Sequence, residues 1–389
     1  MEASPPILRG GFRPFFLGAG IWAILAIAIW LWALEAGTMR IGALDPLSWH
    51  RHEMLFGFVG GAIAGFSLTA VPNWTGRLPI AGAPLAGIAL WWLTARLLPF
   101  AFPNLPLMAL AAVDGGFYVG LALLILREIV QAKNRNVPVA IVIGLLGVAN
   151  ILDYAGAAGA IDPDLGIHAG IGIAVVLVSL IGGRIVPSFT RNWMQREQVS
   201  GTMPTQAGRF DLAVIAVTTV ALIAWIVFGL AEYPAVLLLA AGLLQLLRLA
   251  RWSGWRTARS PIVVVLHLAY VWIPVGLLLL AATGFGYPIA PSAGIHALTV
   301  GAMASMILAV MTRATLGHTG RALHADLATR ACYAAIQLAV IARVLASVMS
   351  EFYQPLLHVA GAFWIAAFGL FVFAYAPKLL SERSDAASK

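Results

Sequence analysis

Apolar stretches of about twenty residues, long enough to cross hydrocarbon, follow one another along nearly the whole chain. Twelve such runs fall at approximately 15–35, 53–72, 80–98, 105–127, 138–158, 165–187, 211–230, 234–250, 262–283, 292–312, 327–350 and 356–376. The polar gaps between them are short, and none has room for a soluble domain of useful size. The pattern predicts an all-α polytopic membrane protein, a single transmembrane domain over residues 1–389 with twelve spanning helices.

Three widely separated stretches read as copies of one unit, each opening with a histidine at the start of a span. His52-Glu53-Met54 leads through an apolar helix to Thr75-Gly76-Arg77, and Gly294-Ile295-His296-Ala297 leads through another to Thr319-Gly320-Arg321. In both, Thr-Gly-Arg falls 23, 24 and 25 residues after the histidine; the copy at His168 reaches Thr190-Arg191-Asn192 at 22 to 24. The intervals of 116 and 128 residues between the histidines each cover four helices. Three parallel four-helix pseudo-repeats follow, approximately 1–135, 136–259 and 260–389, related by an axis near the membrane normal. Two inverted six-helix halves find no support in these positions.

Composition agrees with this class: 61% of residues are hydrophobic and only 10% charged, against roughly 25% charged in soluble domains. The net charge of +8 does not indicate a nucleic-acid partner, because of where the charges lie. All but Arg40, Arg51, Arg96 and Arg343 of the Lys and Arg residues fall in the amino-terminal segment, the even-to-odd loops with the span ends beside them, or the tail. That asymmetry is the positive-inside signature and predicts both termini on the cytoplasmic side. Cys332 is alone, so neither a disulfide framework nor a thiolate cluster is available. Arg9 and Arg13 precede a first run too long for a secretory signal, which reads as an uncleaved span. Trp22, Trp30, Trp32, Trp91 and Trp92 read as interface anchors and lipid-facing bulk.

Histidine is costly in hydrocarbon and is rarely placed there without a proton, metal or haem to serve. With an inside amino terminus, His50, His52, His168 and His296 lie at the outer ends of helices 2, 6 and 10, and His358 at the outer start of helix 12. Packing of the repeats around an axis would let several converge on a membrane-embedded cofactor. His50 and His52 are about 200° apart around a helix and would face different centres. Met54, on the face of His50, is a soft ligand suited to Cu(I) or a haem axial position. Glu53 would be an acceptor orienting an imidazole. The competing explanation is that some of these histidines only bond backbone at wet helix ends. Further in lie His267 and the run from Arg313 through His318 to Arg321, which would bind haem propionates or anionic lipid or simply cap helix ends. Asp114, with Tyr118 one turn on, would start a proton path; a structural pair of Asp153 with Arg343 is the alternative. The glycines, such as Gly57-Phe58-Val59-Gly60-Gly61 and Gly182-Gly183, read as small packing residues.

Four blocks carry a resemblance to a known family: Gly11-Phe12-Arg13-Pro14-Phe15-Phe16, Trp49-His50-Arg51-His52-Glu53-Met54, Pro72-Asn73-Trp74-Thr75-Gly76-Arg77 and Leu316-Gly317-His318-Thr319-Gly320-Arg321. They resemble the signature blocks of the NnrS family, bacterial inner-membrane proteins linked to nitric oxide and described as containing haem and copper. The resemblance covers the whole chain, although the second repeat lacks Thr-Gly-Arg. A more distant similarity of layout is to haem–copper oxidase and nitric oxide reductase subunits, which have twelve spans in three arcs and metal-binding histidines on helices 2, 6 and 10. This chain departs from them in carrying its His-x-His on helix 2 and in lacking their copper cluster on helices 6–8.

What the resemblance implies is membership and a nitric oxide context; the first expectation built on it is a membrane redox protein of nitric oxide metabolism, denitrification and nitrosative-stress protection, with one or two haems b and copper. His52 and His296 would be the axial pair of a haem b, with His318, Arg313 and Arg321 at its propionates. His50, Met54, His168, His267 and His358 would be left for copper or a second haem, and Glu53 or Asp114 would relay protons. Nitric oxide, a small apolar gas, would enter through lipid, with electrons from a quinol or cytochrome. The alternatives are a transporter or haem- and metal-handling protein, and a sensor or sink that binds nitric oxide without turnover.

Overall fold

A computed structural model of the chain describes residues 4–37 and 40–384. The two terminal residues, predicted above to be cytoplasmic, lie outside those described. Among the described residues there is no β-strand, and twelve helices are long and apolar enough to cross a membrane. In chain order they are α1 (Phe12–Ala36), α2 (Pro46–Thr75), α3 (Ala83–Ala101), α4 (Leu107–Gln131), α5 (Val137–Ala157), α6 (Leu165–Arg196), α7 (Arg209–Phe228), α8 (Glu232–Arg256), α9 (Pro261–Gly284), α10 (Pro291–His318), α11 (Leu327–Val348) and α12 (Ser350–Leu380).

The helices overrun the hydropathy boundaries where local chemistry, not apolarity, sets the ends. Asp45 caps α2, its Oδ1 accepting from the Leu47 and Ser48 amides at 3.0 Å, and Pro46 occupies the first helical position, where its missing N–H costs nothing. His50 and His52 therefore sit within the opening turns of α2 and not ahead of it. At the other end, Gly76 takes φ 69° and closes α2 by a left-handed cap. Gly320 takes φ 73° at the end of α10. The repeated Thr-Gly-Arg is thus a helix stop. The second copy, Thr190-Arg191-Asn192, has no glycine to adopt that conformation, and α6 runs on to Arg196.

Two spans are not α-helical throughout. Directly after His52 the chain forms a π-helix over Glu53–Val59, and directly after His296 another over Ala297–Ala304. Wider π turns inside α-helices cluster at functional sites. α6, with His168, has no such segment.

The chain packs as two compact units, Met1–Ile173 with Met311–Ala322 and Phe368–Lys389, and Ala174–Val310 with Leu323–Ala367. In the first, α4 and α5 meet closely because Gly115 and Gly147 have no side chain: a Cβ on Gly115 would overlap Ile151, and one on Gly147 would lie 2.8 Å from Tyr118. Trp22 and Trp92 also turn inward here and are buried, whereas Trp32 and Trp91 are exposed as expected of lipid-facing residues. The reading of all five tryptophans as anchors is corrected accordingly: Trp22 and Trp92 have polar partners inside the protein.

Candidate functional site

Five side chains from four helices meet in the first unit. His52 on α2 is fully buried and bonded at both ring nitrogens: Nδ1 lies 2.8 Å from Asp153 Oδ2 of α5, and Nε2 lies 2.8 Å from Asp114 Oδ2 of α4. Arg96 of α3 is also fully buried; its guanidinium contacts Asp114 Oδ1 and lies 3.2 Å from Glu53 Oε2. Trp22 Nε1 of α1 donates to Glu53 Oε2 at 2.9 Å, and Asn150 Nδ2 donates to Asp114 Oδ2 at 2.9 Å. Tyr154 places its ring 4.4 Å from that of His52. The cluster is a continuous chain of acid, base and cation, with the order Asp153, His52, Asp114, Arg96, Glu53.

The glycines of α2 make room for it. A Cβ on Gly57 would overlap Glu53 Oε2 and lie 2.6 Å from Trp22 Nε1 and 2.9 Å from the Arg96 guanidinium. A Cβ on Gly60 would overlap the Tyr118 hydroxyl. That hydroxyl donates to the Phe56 carbonyl, and Trp92 Nε1 donates to the Gly57 carbonyl at 3.1 Å. Both carbonyls belong to the π segment, where the looser backbone ladder lets side chains from α3 and α4 bond to helix α2. Gly57 and Gly60 are therefore space for a polar site, not the helix-packing residues their composition suggested.

A second buried network occupies the other unit. Arg248 of α8 donates from Nε to Asp211 Oδ1 of α7 at 2.8 Å and from NH1 to Ser179 O, Ser179 Oγ and Tyr270 Oη at 3.0, 2.9 and 2.8 Å. Gln245 completes it, accepting from Tyr270 at 2.8 Å and donating to Ser179 Oγ and Thr218 Oγ1. Gly183 leaves the space for Arg248, whose guanidinium would overlap a Cβ there. Arg13 and Arg248, both on the basic side of the chain's charge pattern, are buried and bonded to the protein.

The remaining residues singled out from the sequence are dispersed. His50 stacks on Trp30 with ring centroids 4.5 Å apart, so it and His52 serve different surroundings. Met54 is half-buried on α2, and His168 is half-buried near the start of α6. His267 Nε2 pairs with Thr190 Oγ1 at 2.8 Å, while its Nδ1 is buried against Gly254. His318 packs on Phe12 at 5.3 Å. Arg321 donates to Ser381 Oγ at 3.0 Å, tying down the segment after α12, and Arg313 is half-buried on α10. His296 Nδ1 lies 2.7 Å from the Ser292 carbonyl, and His358 Nδ1 2.8 Å from that of Gln354. Asp153 is bonded to His52, and Arg343 donates to Ser347 Oγ at 2.6 Å in its own helix, so the structural pair considered for them is replaced by these partners. Tyr118 reaches the α2 backbone, and Asp114 reaches His52 and Arg96.

These positions bear on the cofactors that the resemblance implies. Among the described residues, no group of three or more His, Cys, Asp or Glu is arranged to hold a metal ion. His52 does not fit an axial ligand, because a metal needs a lone pair and both nitrogens are committed to carboxylates. Its orienting acceptors are Asp114 and Asp153, not Glu53, which serves Trp22 and Arg96. At His296 and His358, Nδ1 meets a carbonyl of the residue's own helix, the kind of bond that orients metal-ligating histidines.

Sequence reasoning missed Arg96, Trp22, Asn150 and the whole Arg248 network as parts of a site. A cation inside a span is the available signal for Arg96, and the loop-charge pattern passes it over as an exception.

The fold and this site define a multi-pass helical membrane protein with a buried acid–base centre. The chain belongs to the NnrS family: the family described as NnrS protein matches residues 6–383. No curated protein matches it.

Proposed function

We propose that the protein is a haem- and copper-dependent redox protein of the bacterial inner membrane that reduces nitric oxide to nitrous oxide and so protects against nitrosative stress. The observation that carries this reading is the buried chain of His52, Asp114, Asp153, Glu53 and Arg96. Ionisable groups inside a membrane protein mark proton or substrate pathways. Reduction joins two molecules of nitric oxide with two electrons and two protons, giving nitrous oxide and water. The gas is apolar and partitions into the bilayer unaided; the protons do not, and need a polar site within the protein. Electrons come from a membrane quinol or a cytochrome. Haem and copper would supply one-electron chemistry, and the half-buried His296, its Nδ1 bonded to the Ser292 carbonyl, would be a residue to hold such a group. The acid–base cluster holds protons, and Arg96 fixes Glu53 and Asp114 in place. Support for the nitric oxide context comes from family membership.

The test is made on the full chain purified in detergent. A Soret band, bound copper and formation of nitrous oxide from nitric oxide with a quinol donor are expected. A colourless, metal-free preparation would sink the redox reading and favour transient carriage of haem or metal. A haem protein that binds nitric oxide without releasing nitrous oxide would be a sensor or sink. Reporters at the carboxyl end and near Arg196 should read cytoplasmic, and one near Asp162 periplasmic; the distribution of Lys and Arg supports this orientation.

A further inference from the structure

Two of the signature blocks meet at one end of the first unit. Gly11-Phe12-Arg13-Pro14-Phe15-Phe16 opens α1, Leu316-Gly317-His318-Thr319-Gly320-Arg321 closes α10, and the rings of Phe12 and His318 lie 5.3 Å apart. The segment that leaves α12 is tied to both. Arg13 Nη1 donates to the Leu379 and Ser381 carbonyls at 2.7 Å, and Arg321 Nη2 donates to Ser381 Oγ at 3.0 Å. The Ser384 amide donates to the Thr319 carbonyl at 2.8 Å. Gly320 permits this approach: a Cβ there would overlap the Ser384 carbonyl and lie 3.2 Å from Arg383 Cγ. Arg9 reaches the same segment, its Nη1 3.0 Å from Glu382 Oε1.

The charges gathered here do not balance. Among the described residues, Glu382 is the one carboxylate within ion-pairing distance of Arg9, Arg13, Arg321 or Arg383. Four arginines against one glutamate leave three positive charges at the ends of three spanning helices. Tying down the segment explains the hydrogen bonds but not the surplus, since holding a carbonyl takes an N–H and not a charge. Arg13 makes the point most strongly. It is 4% exposed, and its bonded partners are neutral carbonyls with the Phe12 ring 5.4 Å away, whereas a buried arginine is ordinarily paired with an anion. Arg321 is half-buried and Arg383 exposed, so the surplus is open to an incoming ligand. Beside it α12 exposes Phe373 and Leu380, at 80% and 51%.

We propose that this end of the bundle binds an anionic phospholipid of the adjoining leaflet, with its phosphate among Arg9, Arg321 and Arg383 and its acyl chains along Phe373 and Leu380. Guanidinium groups match a phosphate with paired N–H donors, and clustered basic residues at a membrane boundary attract anionic headgroups. A zwitterionic lipid brings its own ammonium and would leave the three charges unbalanced. Once bound, the lipid would hold the segment after α12 against α1 and α10. The site stands apart from the redox function proposed above and requires no cofactor.

Native mass spectrometry and thermal melts of the full chain, delipidated in neutral detergent, test the site. Phosphatidylglycerol is expected to bind and to raise the melting temperature, and phosphatidylcholine with the same acyl chains to do so far less. Arg383→Gln should weaken phosphatidylglycerol binding about fivefold, and Arg321→Gln with Arg383→Gln about 25-fold. Arg321→Lys, which keeps the charge, should retain most of the affinity. Arg259→Gln, at an exposed arginine outside the cluster, should change nothing. Equal binding of the two lipids overturns the proposal, as does an unchanged preference in Arg383→Gln, a substitution on the exposed segment that keeps the test open if Arg321 variants do not fold. Glycerol phosphate carries the anion without acyl chains, and full stabilisation by it alone would show an ion site and overturn the lipid. Loss of haem in the arginine variants with lipid preference intact would place a cofactor carboxylate here and overturn it equally.

Discussion

Arg96 and Arg248, two buried arginines of this protein, are built alike and balanced differently. Arg96 and Arg248 each lie where a glycine, Gly57 or Gly183, leaves space beside a spanning helix, and each pairs with an aspartate on a neighbouring helix. Around Arg248 no carboxylate is in surplus: Asp211 faces Arg248 and, at 3.9 Å, the part-exposed Arg251, and hydroxyls and an amide from Ser179, Tyr270, Gln245 and Thr218 fill the remaining positions. Around Arg96 there are three carboxyls, an imidazole and unpartnered acceptors on Asp153 and Asn150. A closed, neutral network resists change and holds helices together. One with more carboxyls than fixed cations is not closed in this way.

The sharpest way to break the comparison is to empty each network. Arg96→Met and Arg248→Met should each destabilise by about 3–5 kcal/mol, because a buried carboxylate loses its cation. Removing the partner as well should separate them. Arg248→Met with Asp211→Leu should return close to wild-type stability, since replacing a whole buried pair is often neutral or better. Arg96→Met with Asp114→Leu should stay destabilised, because Glu53 also loses its cation and His52 one of its carboxylates. Thermal melts followed by size-exclusion chromatography in detergent would read both, and equal recovery of the two double variants would show that the networks are alike.

A smaller effect is expected at the glycines. Gly60→Ala and Gly183→Ala should each cost about 1–3 kcal/mol by overpacking. Tyr118→Phe, which deletes the hydroxyl that the added methyl would strike, should relieve the first in a double-mutant cycle. A cycle with no coupling would mean that the hydroxyl does not lie over Gly60. At Gly76, by contrast, nothing lies within 4 Å of an added Cβ and only the left-handed φ matters. Gly76→Ala should cost about 1–2 kcal/mol, measurable in the same melts.

The smallest expected change concerns Asp45, outside the spans. Burial pushes its carboxyl up, but hydrogen bonds from Ser48 and Leu47 and the nearby Arg51 together outweigh that and hold it below the ordinary value. A depressed carboxyl contributes stability above its unfolded pKa and loses it as pH falls through the folded one. Asp45→Ala should cost about 1 kcal/mol at neutral pH, and the difference from wild type should shrink on acidification below the ordinary carboxylate range. A difference constant with pH would show that the cap is not ionic.

Much of the fold was legible, and some of the site. Twelve apolar runs became twelve spanning helices, because a bilayer leaves the backbone no other open way across. His52, Glu53, Asp114 and Asp153 all stood out as polar residues in apolar surroundings. Their partnership did not, for it joins positions such as His52 and Asp153 that lie 101 residues apart. Trp22 was legible as a tryptophan but not as a donor: an indole suits both an interface and a buried carboxylate. Arg248 looked like any basic residue near a helix end. Thr-Gly-Arg was visible as a repeat, and only the φ of its glycine revealed a stop signal.

The sequence by itself determined the class, the number of spans and the family, because those depend on the summed hydrophobicity of local stretches and on motifs read in order. Tertiary structure alone decided that His52 faces two carboxylates, that Arg96 balances only part of their charge, and that Gly57 and Gly60 stand aside for them. Those are matters of which side chains from different helices come within hydrogen-bonding reach. In a bundle where nearly every helix is apolar on all sides, amphipathic periodicity leaves the rotation of each helix about its axis largely unmarked.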